Sequence, residues 1–166
     1  MATHVLHPQP LTRAAFAPYG DVIETAGAHH YSINEGSTRR FHDLCKVDVS
    51  EQGGHCLVNL FRATPLPCPI PLRMLERHPL GSQAFMPLGE ARFLIVVAQP
   101  TNTPRADDLR AFLSNGKQGV NYARNTWHHF VLALDAVTDF LVVDRGGPGE
   151  NCEEITLADK VSLLPD

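Results

Sequence analysis

The sequence predicts an all-β barrel or sandwich with little helix, and three observations carry that reading. Thirteen prolines and twelve glycines cut its 166 residues into short pieces. Between them lie apolar, often β-branched runs of strand length, and many such runs separated by turn residues mark a barrel or sandwich. Helical periodicity is nearly absent. With 43% hydrophobic composition, the chain suits one domain over 1–166 with a sizeable core.

The elements follow in order. Thr12 is placed to cap a short helix running to Phe16, which Pro18 and Gly20 stop. Strands are expected over residues 21–24, 44–49, 55–61, 82–87, 92–98, 109–113, 119–122, 127–134 and 137–144. The run 93–98 is apolar on both parities, so both of its faces should be covered. Residues 55–61 mix polar and apolar positions, as a strand with one wet face does. Segment 63–71 holds Pro65, Pro67, Pro69 and Pro71 and reads as an extended connector, because proline cannot donate to a ladder. Segment 105–113 is ambiguous: Asp107 and Asp108 allow a helical turn, while 109–113 alternates like a strand. His29 and His30, among Gly27, Asn34 and Gly36, read as a mobile loop. The string Arg39-Arg40-Phe41-His42-Asp43 reads by default as a solvated charge run.

Charge excludes several partners. Fourteen basic residues stand against 18 acidic ones, a net −4 with no lysine-rich run, which argues against nucleic acid and anionic membrane surfaces. No apolar stretch approaches the roughly 20 residues that span a bilayer. Pro8, Pro10, Arg13 and Pro18 are unlike a secretory signal. Cys45, Cys56, Cys68 and Cys152 are far apart and form no CxxC pair, so a reduced, cytoplasmic setting is expected.

Two polar clusters carry the chemistry. Glu76 and His78 are two apart, so on a strand they share a face. A turn at Pro79–Gly81 then allows Gln83, on the next strand, to swing back toward them. The second cluster centres on Trp127-His128-His129, whose two histidines must face opposite sides of a strand, so at most one joins a site. A carboxylate, two imidazoles and an amide oxygen form a mixed N/O set that suits a divalent nickel, manganese, iron or zinc ion. A Glu-x-His pair is also commonly a surface ion pair with a neighbouring arginine such as Arg73 or Arg77.

The spacing resembles a degenerate cupin pattern, with Glu76 and His78 in the positions of the first two histidines. Gln83 takes the carboxylate position, Gly89 the closing glycine and His128 the later histidine; two of these four ligand types differ from the usual set. The resemblance then narrows. The strings Pro18-Tyr19-Gly20-Asp21-Val22-Ile23-Glu24, Arg40-Phe41-His42-Asp43-Leu44 and Glu76-Arg77-His78-Pro79-Leu80-Gly81-Ser82-Gln83-Ala84-Phe85 are similar to the ureidoglycolate lyase family, which has also been labelled a hydrolase. So are Ser114-Asn115-Gly116-Lys117-Gln118-Gly119-Val120-Asn121-Tyr122, Trp127-His128-His129 and Thr138-Asp139-Phe140-Leu141-Val142-Val143-Asp144-Arg145-Gly146. They match in order over nearly the whole chain.

That resemblance implies a cupin-like (double-stranded β-helix, or jelly-roll) barrel, a homodimer, a divalent metal (nickel being the one usually named) and a late step in allantoin breakdown. The implied reaction eliminates urea from ureidoglycolate and leaves glyoxylate. Glu76, His78, Gln83 and His128 are then the metal ligands. His42, His129 and Glu76 are candidates for general acid–base work. Arg40, Arg62 and Arg124 are candidates for the substrate carboxylate, whose two oxygens match a guanidinium fork, and Asn115 and Asn121 for the ureido group. For each arginine a surface ion pair is the competing reading. Two other functions stay open: an amidohydrolase releasing ammonia and carbon dioxide, and a non-catalytic sensor of glyoxylate.

Overall fold

The computed structural model describes residues 3–165. After strands β1 (His4–Leu6) and β2 (Gln9–Pro10), Thr12 caps helix α1 (Arg13–Phe16) by accepting from the Ala15 backbone N–H at 3.2 Å. Strand β3 (Gly20–Ile23) follows, then a hairpin of β4 (His30–Ile33) and β5 (Thr38–Phe41). The long β6 (His55–Ala63) and β7 (Ile70–Arg77) flank the proline-rich connector, which is shorter than expected: Ala63, Ile70 and Pro71 are in the flanking strands, with Pro71 paired to Ser162, and the chain bends at Cys68 and Pro69. Then come β8 (Gln83–Pro87), β9 (Phe93–Ala98), β10 (Leu109–Leu113) and β11 (Gly119–Tyr122), and finally β12 (Leu132–Ala133), β13 (Thr138–Gly146) and β14 (Glu153–Leu163).

One five-stranded sheet runs in the order β3-β11-β8-β13-β6. A second surface is built from β12-β9-β10-β2 and from β1-β14-β7, stitched together by His128, which bridges Glu76 on one side and Val97 on the other. Strand β9 lies at the centre. Phe93, Ile95 and Val97 pack with Phe16, Phe85, Phe112, Val120 and Phe140 between the two sheets. Leu94, Val96 and Ala98 pack on its other side with Ile70, Leu72, Leu75 and Leu109. Both faces of β9 are therefore covered, as its doubly apolar sequence predicts. At about 25 cal/mol per Å² of apolar area, these two clusters are the principal stabilising term. Segment 105–113 satisfies both of its signals: Ala106–Asp108 form a 3₁₀ turn, and β10 begins at Leu109.

Three further expectations are corrected. Residues 44–49 form no strand; the Lys46 N–H donates to Asp21 Oδ2 at 3.0 Å and the Asp48 N–H to Ser82 Oγ at 2.8 Å, and the Asp48 carbonyl accepts from the Ser82 N–H at 2.9 Å. The span 127–134 does not pair continuously but supplies only the His128 bridges and the two residues of β12. Residues 29–42, expected as a loop and a charge run, are an exposed hairpin in which Tyr31 pairs with Arg40 and His30 with Phe41. The resulting all-β barrel, with two sheets closing over an apolar interior, is cupin-like.

Candidate metal centre

Strand parity and one isolated bridge assemble the site. The Glu76 N–H donates to the His128 carbonyl at 2.8 Å and the His128 N–H to the Glu76 carbonyl at 2.9 Å, so the two residues sit directly opposite one another. Their side chains emerge on the same face, toward the space between the sheets. His78, two residues on, shares that face. Glu76, His78 and His128 bring one ligand atom each to within 4.8 Å of one another. Gln83 arrives from the facing sheet: it pairs with Tyr122, whose ring stacks on His128 at 4.0 Å and 4°.

Each ligand is oriented from behind. His78 Nδ1 lies 2.8 Å from the Asn151 carbonyl and His128 Nδ1 lies 3.0 Å from the His129 carbonyl. A carbonyl only accepts, so each Nδ1 carries the proton and each Nε2 presents a lone pair. The Gln83 amide donates to Asp144 Oδ2 at 3.2 Å, which aims Oε1 the other way. Asn59, donating to Asp144 Oδ1 at 3.1 Å, holds that carboxylate in turn. The consequence is specific: His78 Nε2, His128 Nε2 and Gln83 Oε1 are all buried and without a hydrogen-bond partner among the described residues. Buried polar atoms are almost always satisfied, so these orphans, two beside β7 and one on the facing sheet, fit a ligand that supplies the missing bonds.

Electrostatics agree. Burial pushes His128 down to about 3, with a small opposing contribution from its bond to the His129 carbonyl, so the imidazole is neutral at pH 7 and its lone pair is available. Burial pushes the Glu76 carboxyl up, His78 opposes this and Glu154 adds to it. Burial also raises the Tyr122 phenol, so the ring stacked on His128 stays uncharged. The Glu76 Oε1 to His78 Nε2 separation of 3.9 Å is too long for a hydrogen bond and leaves room for an intervening ion.

Three of the four expected metal ligands, Glu76, His78 and His128, therefore come together, and Gln83 stands on the strand paired with Tyr122, whose ring stacks on His128; the other candidates are engaged with other groups. His129 points away from His128, its Nδ1 bonded to the Phe130 carbonyl at 3.1 Å. His42 sits at the base of the hairpin, its ring against those of His29 and Tyr31. Arg40 lies over the Tyr31 ring, and Arg62 forms a two-pronged pair with Asp139 at 2.7 and 3.0 Å. Asn115 shapes a turn by accepting from the Lys117 N–H. Asn121 and Arg124 line a pocket on the other face of the sheet. Reading the sequence missed Asp144 and Asn151, which orient ligands, and Tyr122 and the rim residues Cys152 and Glu154. The rim pair sits within 4.8 Å of the Glu76 ligand atom. Asp144 was discoverable, since its parity matches Phe140 and Val142, which face the interior. Cys152 and Glu154 carried no local signal.

A cupin-like all-β barrel with Glu76, His78 and His128 gathered in its interior defines a protein of the cupin type with a group that could hold a divalent metal. Residues 3–164 match the family model described as ureidoglycolate lyase, and the chain belongs to that family. It is 56% identical over 158 residues to a ureidoglycolate lyase of Burkholderia mallei, covering 95% of this chain and 92% of that one. It is 53% identical to one from Azotobacter vinelandii, covering 96% of each. A solved 3,4-ketoisomerase from Helicobacter canadensis superposes with a TM-score of 0.42 at 11% identity, over 78% of this chain and 84% of that one.

Proposed function

We propose that the chain is a ureidoglycolate lyase that releases urea and glyoxylate, working as a cytoplasmic homodimer with a divalent metal held by Glu76, His78, Gln83 and His128. The observation that carries the metal is the set of three orphaned, buried ligand atoms beside a carboxylate; family membership carries the reaction. Nickel is the ion the family resemblance implies, and the mixed N/O donor set is compatible with it.

When bound, the metal supplies Lewis acidity toward the substrate's carboxylate and hydroxyl oxygens. The remaining chemistry falls to the chain. Elimination requires the hydroxyl proton to leave as the carbon–nitrogen bond breaks, and the departing urea nitrogen to gain a proton. Glu76 is placed for that transfer: its carboxyl is pushed toward neutrality by burial, and it stands at the open side of the group next to Cys152 and Glu154. The His78 ring and the neutral His128 ring are held by their carbonyl bonds and cannot rotate away without losing them. Tyr122 and the aromatic cluster behind it keep water from that end of the interior.

Product analysis on freshly generated ureidoglycolate tests the reading, with protein dialysed against chelator and resupplied with nickel, manganese or zinc. Urea and glyoxylate in equal amounts, restored by one metal, are expected. Ammonia in place of urea would identify the amidohydrolase instead.

A further inference from the structure

The hairpin of β4 and β5 has no part in the chemistry derived from one chain. Its strands pair only with each other, and apart from Ile33 and Phe41 the residues from 29 to 42 are exposed. Strand alternation gives the hairpin two faces. His29, Tyr31, Arg40 and His42 share one of them: the His29 ring lies 5.6 Å from that of Tyr31 and 6.1 Å from that of His42, and the Arg40 guanidinium stands 5.9 Å over the Tyr31 ring. Neither Arg39 nor Arg40 meets a carboxylate among the described residues. Two imidazoles, a phenol and an unpaired guanidinium therefore face solvent together.

The metal group lacks what this face carries. The strand positions turned inward beside it are Leu57, Asn59, Glu76, Gln83, Tyr122 and Asp144, with no lysine or arginine among them. Arg77 is drawn off to Glu153 at 2.6 Å and over the Trp127 ring, and Arg145 donates to the Glu51 and Pro148 carbonyls. Glu154 adds a further acid at the rim. A carboxylate-bearing substrate thus meets acids and no guanidinium in its own chain. The barrel is also open beside β6, where the inward-facing Leu57 and Phe61 are each 38% exposed. The outer face of the same edge offers a way to close it. Val58 and Leu60 lie there with Leu141 and Val143, an apolar patch that a second copy can cover with its own. In the order β3-β11-β8-β13-β6 the hairpin is rooted beyond β3, at the opposite edge from β6. Two sheets stacked on this patch about a two-fold axis along the strands bring the β3 edge of one chain to the β6 side of the other. Stacked sheets lie about 10 Å apart and a hairpin of four-residue strands spans about 14 Å, so the arm is long enough to wrap that edge. Its Arg39 and Arg40 complement the acidic opening.

We infer that each chain's β4–β5 arm folds over the β6 edge of a second copy and turns the face bearing His29, Tyr31, Arg40 and His42 into the partner's barrel, where Arg40 receives the substrate carboxylate. Each site is then shared between two chains. The inference rests on the homodimer of the proposed function, and its tests separate the two. Arg40→Ala and His78→Ala, each expected to release urea at least about tenfold more slowly than the parent, are co-expressed with different tags and purified through both. Every dimer then holds one copy of each. A shared site takes its metal ligands from the Arg40→Ala chain and its arm from the His78→Ala chain, so one site of two is complete and about half the parent's urea release should return. A second readout needs no turnover. Photo-cross-linking benzoylphenylalanine placed at position 40 of the full, metal-loaded chain should join to a β6 peptide of the other copy, identified by mass spectrometry in dimers of light and isotope-labelled chains. Mixed dimers no more active than either variant alone, or cross-links confined to one chain, would overturn the inference while the homodimer stands. A parent that sediments as a monomer would remove the homodimer and the inference together. Cross-links between copies of a protein that releases no urea would uphold the shared arm and retire the lyase reading.

Discussion

At the scale of single residues the site depends on which nitrogen or oxygen faces inward, and that is set by groups a shell further out. The Gln83 amide points Oε1 at the interior only because Asp144 accepts from its Nε2. Asp144→Asn removes the charge that dictates this orientation and lets the amide turn over. Metal affinity should fall about 10–100-fold, the usual cost of losing an outer-shell partner, read by competition with a chromophoric chelator. His78→Ala or His128→Ala removes a ligand outright, and urea release should fall at least about 100-fold; turnover unchanged in either variant would sink the site assignment. His128 also predicts a pH response of the metal-free protein. Its folded value, about 3, lies well below the unfolded one near 6.5. Between those values the unfolded chain holds the extra proton, so stability is complete above about pH 6.5 and lost as pH falls toward 3. Glu76, raised by burial, acts in the opposite sense above its ordinary value and offsets part of the loss. The melting temperature should drop steadily from pH 7 to pH 4, and His128→Gln should flatten that slope.

Elements that announce themselves by composition were legible in the sequence; elements that depend on distant partners were not. Strand β9 is apolar on both parities and lies between two cores, and the Thr12 cap, β10 and β11 fall where local chemistry puts them. The eleven-residue β14 went unread because Glu153, Glu154, Asp159 and Lys160 interrupt its apolar alternation and it bulges between Thr156 and Val161. Its pairing with β7 supplies what its local pattern lacks. Segment 44–49 has strand-like composition but spends its backbone bonds on Asp21 and Ser82, which no periodicity reveals. Within the site, same-face spacing brought Glu76 and His78 together, whereas the meeting of His128 with Glu76 needs the tertiary bridge between strands 52 residues apart in the chain (128 − 76). Gly20 is the element-level test. Its φ is +150°, and a Cβ there would collide with the Asn121 carbonyl oxygen across the β3–β11 pairing. Gly20→Ala should cost about 1–3 kcal/mol in chemical denaturation, and the pocket on the other face of the sheet, which Gly20 also lines, should lose its shape along with the strand pair.

For the whole molecule, the five-stranded sheet poses a problem that a single chain does not solve. Its edge strand β6 pairs with β13 on one side, and no strand covers its other side among the described residues. By register, Val58 and Leu60 share the outer face with Val143 and Leu141, and Met86 continues that face onto β8. Val58 is 68% and Leu60 63% exposed, and even the inward-facing Leu57 and Phe61 are 38% exposed. A long edge strand with apolar residues on both faces and only Arg62 as a charged guard invites edge-to-edge pairing. A second copy related by a two-fold axis is the self-complementary way to cover it, since the same patch then meets itself. Homodimerisation through β6 therefore predicts that Leu60→Glu, which places two like charges near the axis, yields a monomer in analytical ultracentrifugation at concentrations where the parent is dimeric. The metal group, built within one chain from β7, β8 and the His128 bridge, should still bind its ion in that monomer. A Leu60→Glu protein that stayed dimeric would move the interface to another surface, whereas a monomer that lost metal binding would show that the barrel needs its partner to hold the interior in shape.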